Sequence, residues 1–136
     1  MNILNINFNE INAKRENKPK GQISIKNNVK IISIEESKVG VDKTKKTLNL
    51  TFKFDTEYEN YANISLTGVM LLLEETEKAD QILKSWEKDK KLDKDNAKAI
   101  LQTIMNKSLL QTIVIAKELD LPAPVKFPTV TEQTKK

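Results

Sequence analysis

A chain of 136 residues, 38% hydrophobic and 31% charged, is long enough for one globular domain that buries about two-thirds of its unfolded surface. Cysteine and histidine are both absent, which excludes disulfides, thiolate nucleophiles, zinc sites of the usual kinds and the commonest general base. The net charge of +4 is spread among interspersed acidic and basic residues, so there is no polybasic arm of the kind that tracks nucleic acid.

The hydrophobic rhythm changes once along the chain. From Ile3 to about Glu75 apolar residues recur at every second position, the period of a half-buried strand. The first strand is expected over Ile3 to Arg15, with Ile6 and Phe8 on one face and Ile11 breaking the parity at a bulge or bend near Glu10. Asn17 to Gly21 reads as a turn on its proline and glycine. Gln22 to Ser37 is extended again, as one long bent strand or two shorter ones divided at Asn27-Asn28. A loop from Val39 to Lys46 precedes the clearest strand, Thr47 to Glu57. There Leu48, Leu50, Phe52 and Phe54 alternate with Asn49, Thr51, Lys53 and Asp55. A turn at Asn60 leads into Tyr61 to Glu75, which alternates until Gly68 and is apolar on both faces from Val69 to Leu73. A strand end of that kind is expected to meet something besides the chain's own helices.

From Thr76 the period lengthens to three or four. Thr76 is the expected N-cap of a first helix whose apolar stripe is Ala79, Ile82, Leu83 and Trp86, with Trp86 a core residue. Asp93 is the expected N-cap of a second helix reaching about Leu119. Its wheel carries one stripe through Ala97, Ile100, Leu101, Ile104 and Met105, and a second, nearly opposite face of Leu109, Leu110, Ile113 and Val114. In a chain this small the second face predicts cover by another subunit, so a homo-oligomer, dimer or dimer of dimers, is expected. Strands followed by helices predict an α+β domain: a four-stranded antiparallel sheet with two helices packed on one face. The domain is expected over residues 1–130, with Thr131 to Lys136 a disordered polar tail.

Catalytic chemistry has no footing in these residues. Glu35-Glu36 and Glu74-Glu75 sit at strand ends without a catalytic frame. Asp93 and Asp95 lack the glycine and terminal glutamate of a calcium loop. Three glycines make no phosphate-cradling loop, and no serine sits in a nucleophile elbow. The expectation is a non-enzyme without cofactor or metal. The N-terminus has no basic head before an apolar run, and the longest uninterrupted apolar run is Val69 to Leu73. The expected location is therefore the cytoplasm, without membrane insertion.

Three passages carry a resemblance. Val29-Lys30-Ile31-Ile32-Ser33-Ile34 looks like the second strand of the SecB family of export chaperones. Leu48 to Glu57 and Tyr61 to Leu73, with Gly68 at its centre, look like that family's third and fourth strands. Ile113 to Leu119, leading into Leu121-Pro122-Ala123-Pro124-Val125-Lys126-Phe127, resembles the end of its long helix and the apolar, proline-containing stretch beyond. The likeness runs from about Ile6 to Phe127. It implies a dimer of dimers that holds unfolded or precursor polypeptides in exposed apolar grooves, without nucleotide, in the service of export. This chain's basic charge departs from the family's acidic composition, so a translocase motor as partner is not implied. The groove aromatics of the family have no counterparts here. The client-binding candidates, chosen from the residues themselves, are Ile32, Ile34, Val39, Leu121, Val125 and Phe127. The alternative is an adaptor dedicated to one protein partner, such as a toxin–antitoxin component or a translation-associated factor. A nucleic-acid binder is the third reading, on charge alone.

Overall fold

The computed structural model describes residues 2–16, 24–37 and 44–124. Four long strands are followed by two helices: β1 (Asn2–Arg15), β2 (Ile25–Glu36), β3 (Lys45–Tyr58), β4 (Ala62–Glu75), α1 (Thr76–Asp89) and α2 (Lys94–Glu118). The strands form one antiparallel sheet in the order β1-β4-β3-β2. β2, β3 and β4 are sequential neighbours. β1 lies beside β4, so the chain crosses from one edge of the sheet to the other between β1 and β2. That is about 15 Å at ordinary strand spacing, within reach of the intervening residues.

The alternation in β3 and β4 decides which face the helices cover. Leu48, Leu50, Phe52, Phe54 and Tyr58 of β3 stand beside Ile64, Leu66, Met70 and Leu72 of β4, and all are fully buried. Their neighbours of opposite parity, from Asn49 to Glu57 and Asn63 to Thr67, are polar and at most half-buried. Gly68 is required where β4 passes under an aromatic ring: a Cβ there would overlap the Asn7 carbonyl oxygen and stand 2.7 Å from Phe52 Cζ. The space is taken by Phe52 and Phe8, packed edge to face at 6.1 Å between centroids.

Both edge strands are irregular. In β1 the register shifts between Ile3 and Asn5 and again between Phe8 and Glu10, the second where the parity break at Ile11 predicts it. β2 is one strand rather than two, and its irregularity falls between Ile31 and Ser33 rather than at Asn27-Asn28. Asn27 instead makes specific bonds: its Oδ1 accepts from Thr56 Oγ1 at 2.7 Å and its Nδ2 donates to Pro124 O at 3.2 Å.

α1 follows β4 without a loop and begins at Thr76, one residue earlier than an N-cap there would allow; the cap is Glu75, with no side-chain cap bond. Lys46 holds α1 to the sheet, at 2.7 Å from Asp80 and 3.3 Å from Glu36. Its ammonium pKa is raised, first by the Asp80 hydrogen bond. Asp93 caps α2, its carboxylate accepting from Asn96 N at 3.3 Å and Asn96 Nδ2 at 2.6 Å. α2 ends in a Schellman motif: Asp120, at φ 56°, donates to Lys117 O, and Leu121 donates to Ala116 O at 2.8 Å. Two core clusters result. One lies beneath α1 and the first half of α2, centred on Phe52, Met70, Trp86, Ile100 and Ile104. The other lies beneath the second half of α2, centred on Phe54, Tyr58, Ile64, Leu66 and Ala116.

Candidate functional site

α2 buries an unexpected row. Its fully buried residues are Ile100, Ile104, Ser108, Thr112 and Ala116, one every four positions. In the second half of the helix the sheet-facing positions are therefore small. The large residues of β3 and β4, Phe54, Tyr58, Ile64 and Leu66, already fill the space beneath, and only a small-residue face fits over them. Thr112 Oγ1 donates to Ser108 O at 2.7 Å, while Ser108 Oγ has no partner among the described residues. Lys107 Nζ donates to Ile6 O and Arg15 Nη1 to Leu119 O, each at 2.8 Å, tying α2 to β1.

The aliphatic residues of that half are displaced outward. Leu110 is 68% exposed and Val114 54%, with Ile113 half-buried beside them. Leu109, expected on the same face, is instead half-buried against the second core cluster, with Met105, Ile115 and Leu119. By length and apolar content α2 meets the minimum for crossing a bilayer, and 28% of its most apolar window is buried among the described residues.

A second apolar surface lies where β2 meets the helices. β2 is an edge strand, so one side of its backbone is unpaired within the sheet. Val29 and Ile31 share the core-facing parity, paired with Phe54 and Phe52, and are only half-buried because no further strand among the described residues covers them. With Trp86, Leu92 and Leu101 they floor a groove of about 400 Å³. Lys30 lines it from the strand edge, and Lys90 and Lys91 from the α1–α2 connection. Lys90 has φ 55°, and its ammonium lies 5.7 Å from the centre of the Trp86 ring.

The client-binding candidates separate accordingly. Ile32, at the register shift, is 46% exposed next to the groove strand. Ile34 is corrected: after the shift it regains the core parity opposite Leu50 and is 6% exposed, inside the first cluster. Leu121 is corrected as well, since the Schellman turn folds it onto Ala116, leaving it 8% exposed. Val39, Val125 and Phe127 lie outside the described residues, as does the tail from Thr131. Sequence reasoning missed Trp86, Lys90 and Lys91 as members of one groove. The signal was present in Trp86 followed closely by Lys88, Lys90 and Lys91 before the Asp93 cap, but solvated-loop lysines give the same pattern.

A larger cleft of about 550 Å³, between β4, α1 and the start of α2, has mixed walls that include Glu74, Lys78, Ser85 and Asp95. Asp93 there is committed to capping, and the Glu74 carboxylate accepts from Glu75 N at 3.1 Å. Among the described residues no cluster of three or more Asp or Glu could hold a metal ion.

No protein-family description matches the sequence, and no curated protein matches it. Among solved structures the chain is similar to the SecB-like chaperone Rv1957 of Mycobacterium tuberculosis. That protein was solved in complex with a ChAD peptide from the antitoxin Rv1956 HigA1. Identity is 10%, the TM-score is 0.55, and the match covers 98% of this chain and 92% of that one. The fold is SecB-like. Element order and antiparallel sheet agree with the resemblance carried by the second, third and fourth strands and the long helix.

Proposed function

We propose that this protein is a non-catalytic, ATP-independent holdase of the cytoplasm that keeps unfolded polypeptide soluble along exposed apolar surface. One observation carries the reading: a SecB-like fold leaves an apolar groove beside a free strand edge and aliphatic side chains uncovered on α2. Such surface is unusual on a small soluble domain and marks a site of interaction. Extended chain suits the groove. A β2 edge can hydrogen-bond any backbone, while Val29, Ile31 and Trp86 accept apolar side chains of varied shape. The outward face of α2 serves self-association, covered by the same face of a second copy.

Diluting a denatured test protein into buffer with and without this chain tests the reading. Aggregation should fall at stoichiometric subunit ratios, without nucleotide, and undiminished aggregation overturns the proposal. A second reading is favoured by the peptide in the structural neighbour, which comes from an antitoxin. On that reading the protein is an adaptor for one partner rather than a general holder. Capture from native lysate separates the two: many unrelated chains for a holdase, one or two for an adaptor.

A further inference from the structure

We propose that the groove between β2 and the helices selects extended segments in which an apolar side chain is flanked by carboxylates. This rests on the reading of the protein as a polypeptide binder and specifies what that site prefers. The floor supplies no polar lock, since Val29, Ile31, Trp86 and Leu101 offer only apolar contact and the rim of one indole. Charge is supplied by Lys90 and Lys91 of the α1–α2 connection, whereas Lys30, paired with Lys53, has the opposite strand parity to the floor. Both are exposed, and neither forms an ion pair among the described residues, although Glu87 and Asp89 stand in the adjoining turn of α1. Lys90 adopts the left-handed backbone region, which side chains other than glycine, asparagine and aspartate enter at a cost. In that position its ammonium stands over the one tryptophan of the chain, at the mouth of the groove.

An apolar floor with unpaired cations at its margin complements an apolar anchor with acidic neighbours. Strand addition at β2 would point alternate side chains of the guest into the groove, with backbone bonds supplied by the strand edge. A lysine-flanked guest would face like charges, which is the discriminating element.

Trp86 provides the readout, because it is the one tryptophan of the chain and lines this groove. Three peptides with the same leucine anchor, flanked by glutamate, glutamine or lysine, are titrated into the intact protein, with a single-stranded oligonucleotide as a fourth ligand. The glutamate peptide is expected to bind about tenfold tighter than the glutamine one at low salt. Two exposed pairs, each worth a factor of roughly 1.5 to 5, bracket that preference, and high salt should largely remove it. Replacing Lys90→Glu together with Lys91→Glu should shift preference toward the lysine peptide. Both residues are solvent-exposed, so an unchanged circular dichroism spectrum is expected, with a melting point lowered by the lost Lys90–Trp86 contact and by acids at the C-terminus of α1. Equal binding of the glutamate and glutamine peptides, or tighter binding of the lysine peptide, overturns the acidic preference while polypeptide binding stands. Tighter binding of the oligonucleotide than of the glutamate peptide assigns the lysines to phosphate and overturns the proposal. No response to any peptide removes both the preference and the polypeptide-binding reading of this groove.

Discussion

Replacing Leu110→Glu and Val114→Glu together isolates the outward face of α2. Both side chains stand largely in solvent, at 68% and 54% exposure, so the fold of one chain does not depend on them. Fully burying a leucine or valine side chain is worth about 1.5 to 3 kcal/mol. Covering the exposed parts of both therefore supplies roughly 2 to 3.5 kcal/mol per chain, and twice that across a two-fold contact. Losing it, and placing like charges across the contact, should weaken self-association by roughly a thousandfold or more. Light scattering over a wide concentration range measures this directly. The wild-type protein should exceed the 15.5 kDa of one chain, and the double variant should return to it with its circular dichroism spectrum unchanged. A wild-type protein of one-chain mass throughout, or a variant that keeps the wild-type mass, refutes the reasoning.

Three further outcomes follow from the core. Gly68→Ala drives a Cβ into the Asn7 carbonyl and the Phe52 ring, so urea unfolding should show a loss of about 1 to 3 kcal/mol. A change within about 0.5 kcal/mol would mean that β1 yields freely there. Ser108→Ala removes a buried hydroxyl with no partner among the described residues and should raise stability by about 1 kcal/mol in the same assay. Tyr58 donates to Pro122 O at 2.6 Å, and burial, with a smaller effect from Tyr61, pushes its pKa up to about 12. Below about pH 10 the phenol is neutral both folded and unfolded. Between about 10 and 12 only the unfolded chain ionises, so stability should fall by about 1.4 kcal/mol per pH unit relative to Tyr58→Phe. Parallel wild-type and Tyr58→Phe curves across that window would show that Tyr58 ionises without penalty. At neutral pH the same variant should cost about 1 kcal/mol for the lost hydrogen bond.

Much of the architecture was legible because local rules and tertiary demands agree. The strict alternation of Leu48 to Phe54 specifies a sheet with one wet face, and the parity break at Ile11 marks a register shift that β1 contains. Asp93 caps α2, and Trp86 is a core residue at 9% exposure. The functional surface was harder to see. Ile32 and Ile34 share one parity along the chain, yet one is exposed and the other buried because of the irregularity between Ile31 and Ser33, which shows only when β2 is paired with β3. Leu121 looked free because it follows the helix, and the Schellman turn returned it to the core.

Periodicity alone determined the kinds of element, their order and the sheet face that is apolar, because those follow from the repeat of side chains along one backbone. Tertiary structure decided which helix face turns inward. On α2 the aliphatic residues Leu110 and Val114 lost that place to Ser108, Thr112 and Ala116, since the bulky side chains of β3 and β4 leave room for small ones alone. It likewise brought Val29 and Ile31 to Trp86, Lys90 and Lys91 across a stretch of chain that no local pattern spans. A helical wheel ranks faces by hydrophobicity, whereas a packed interior selects them by shape.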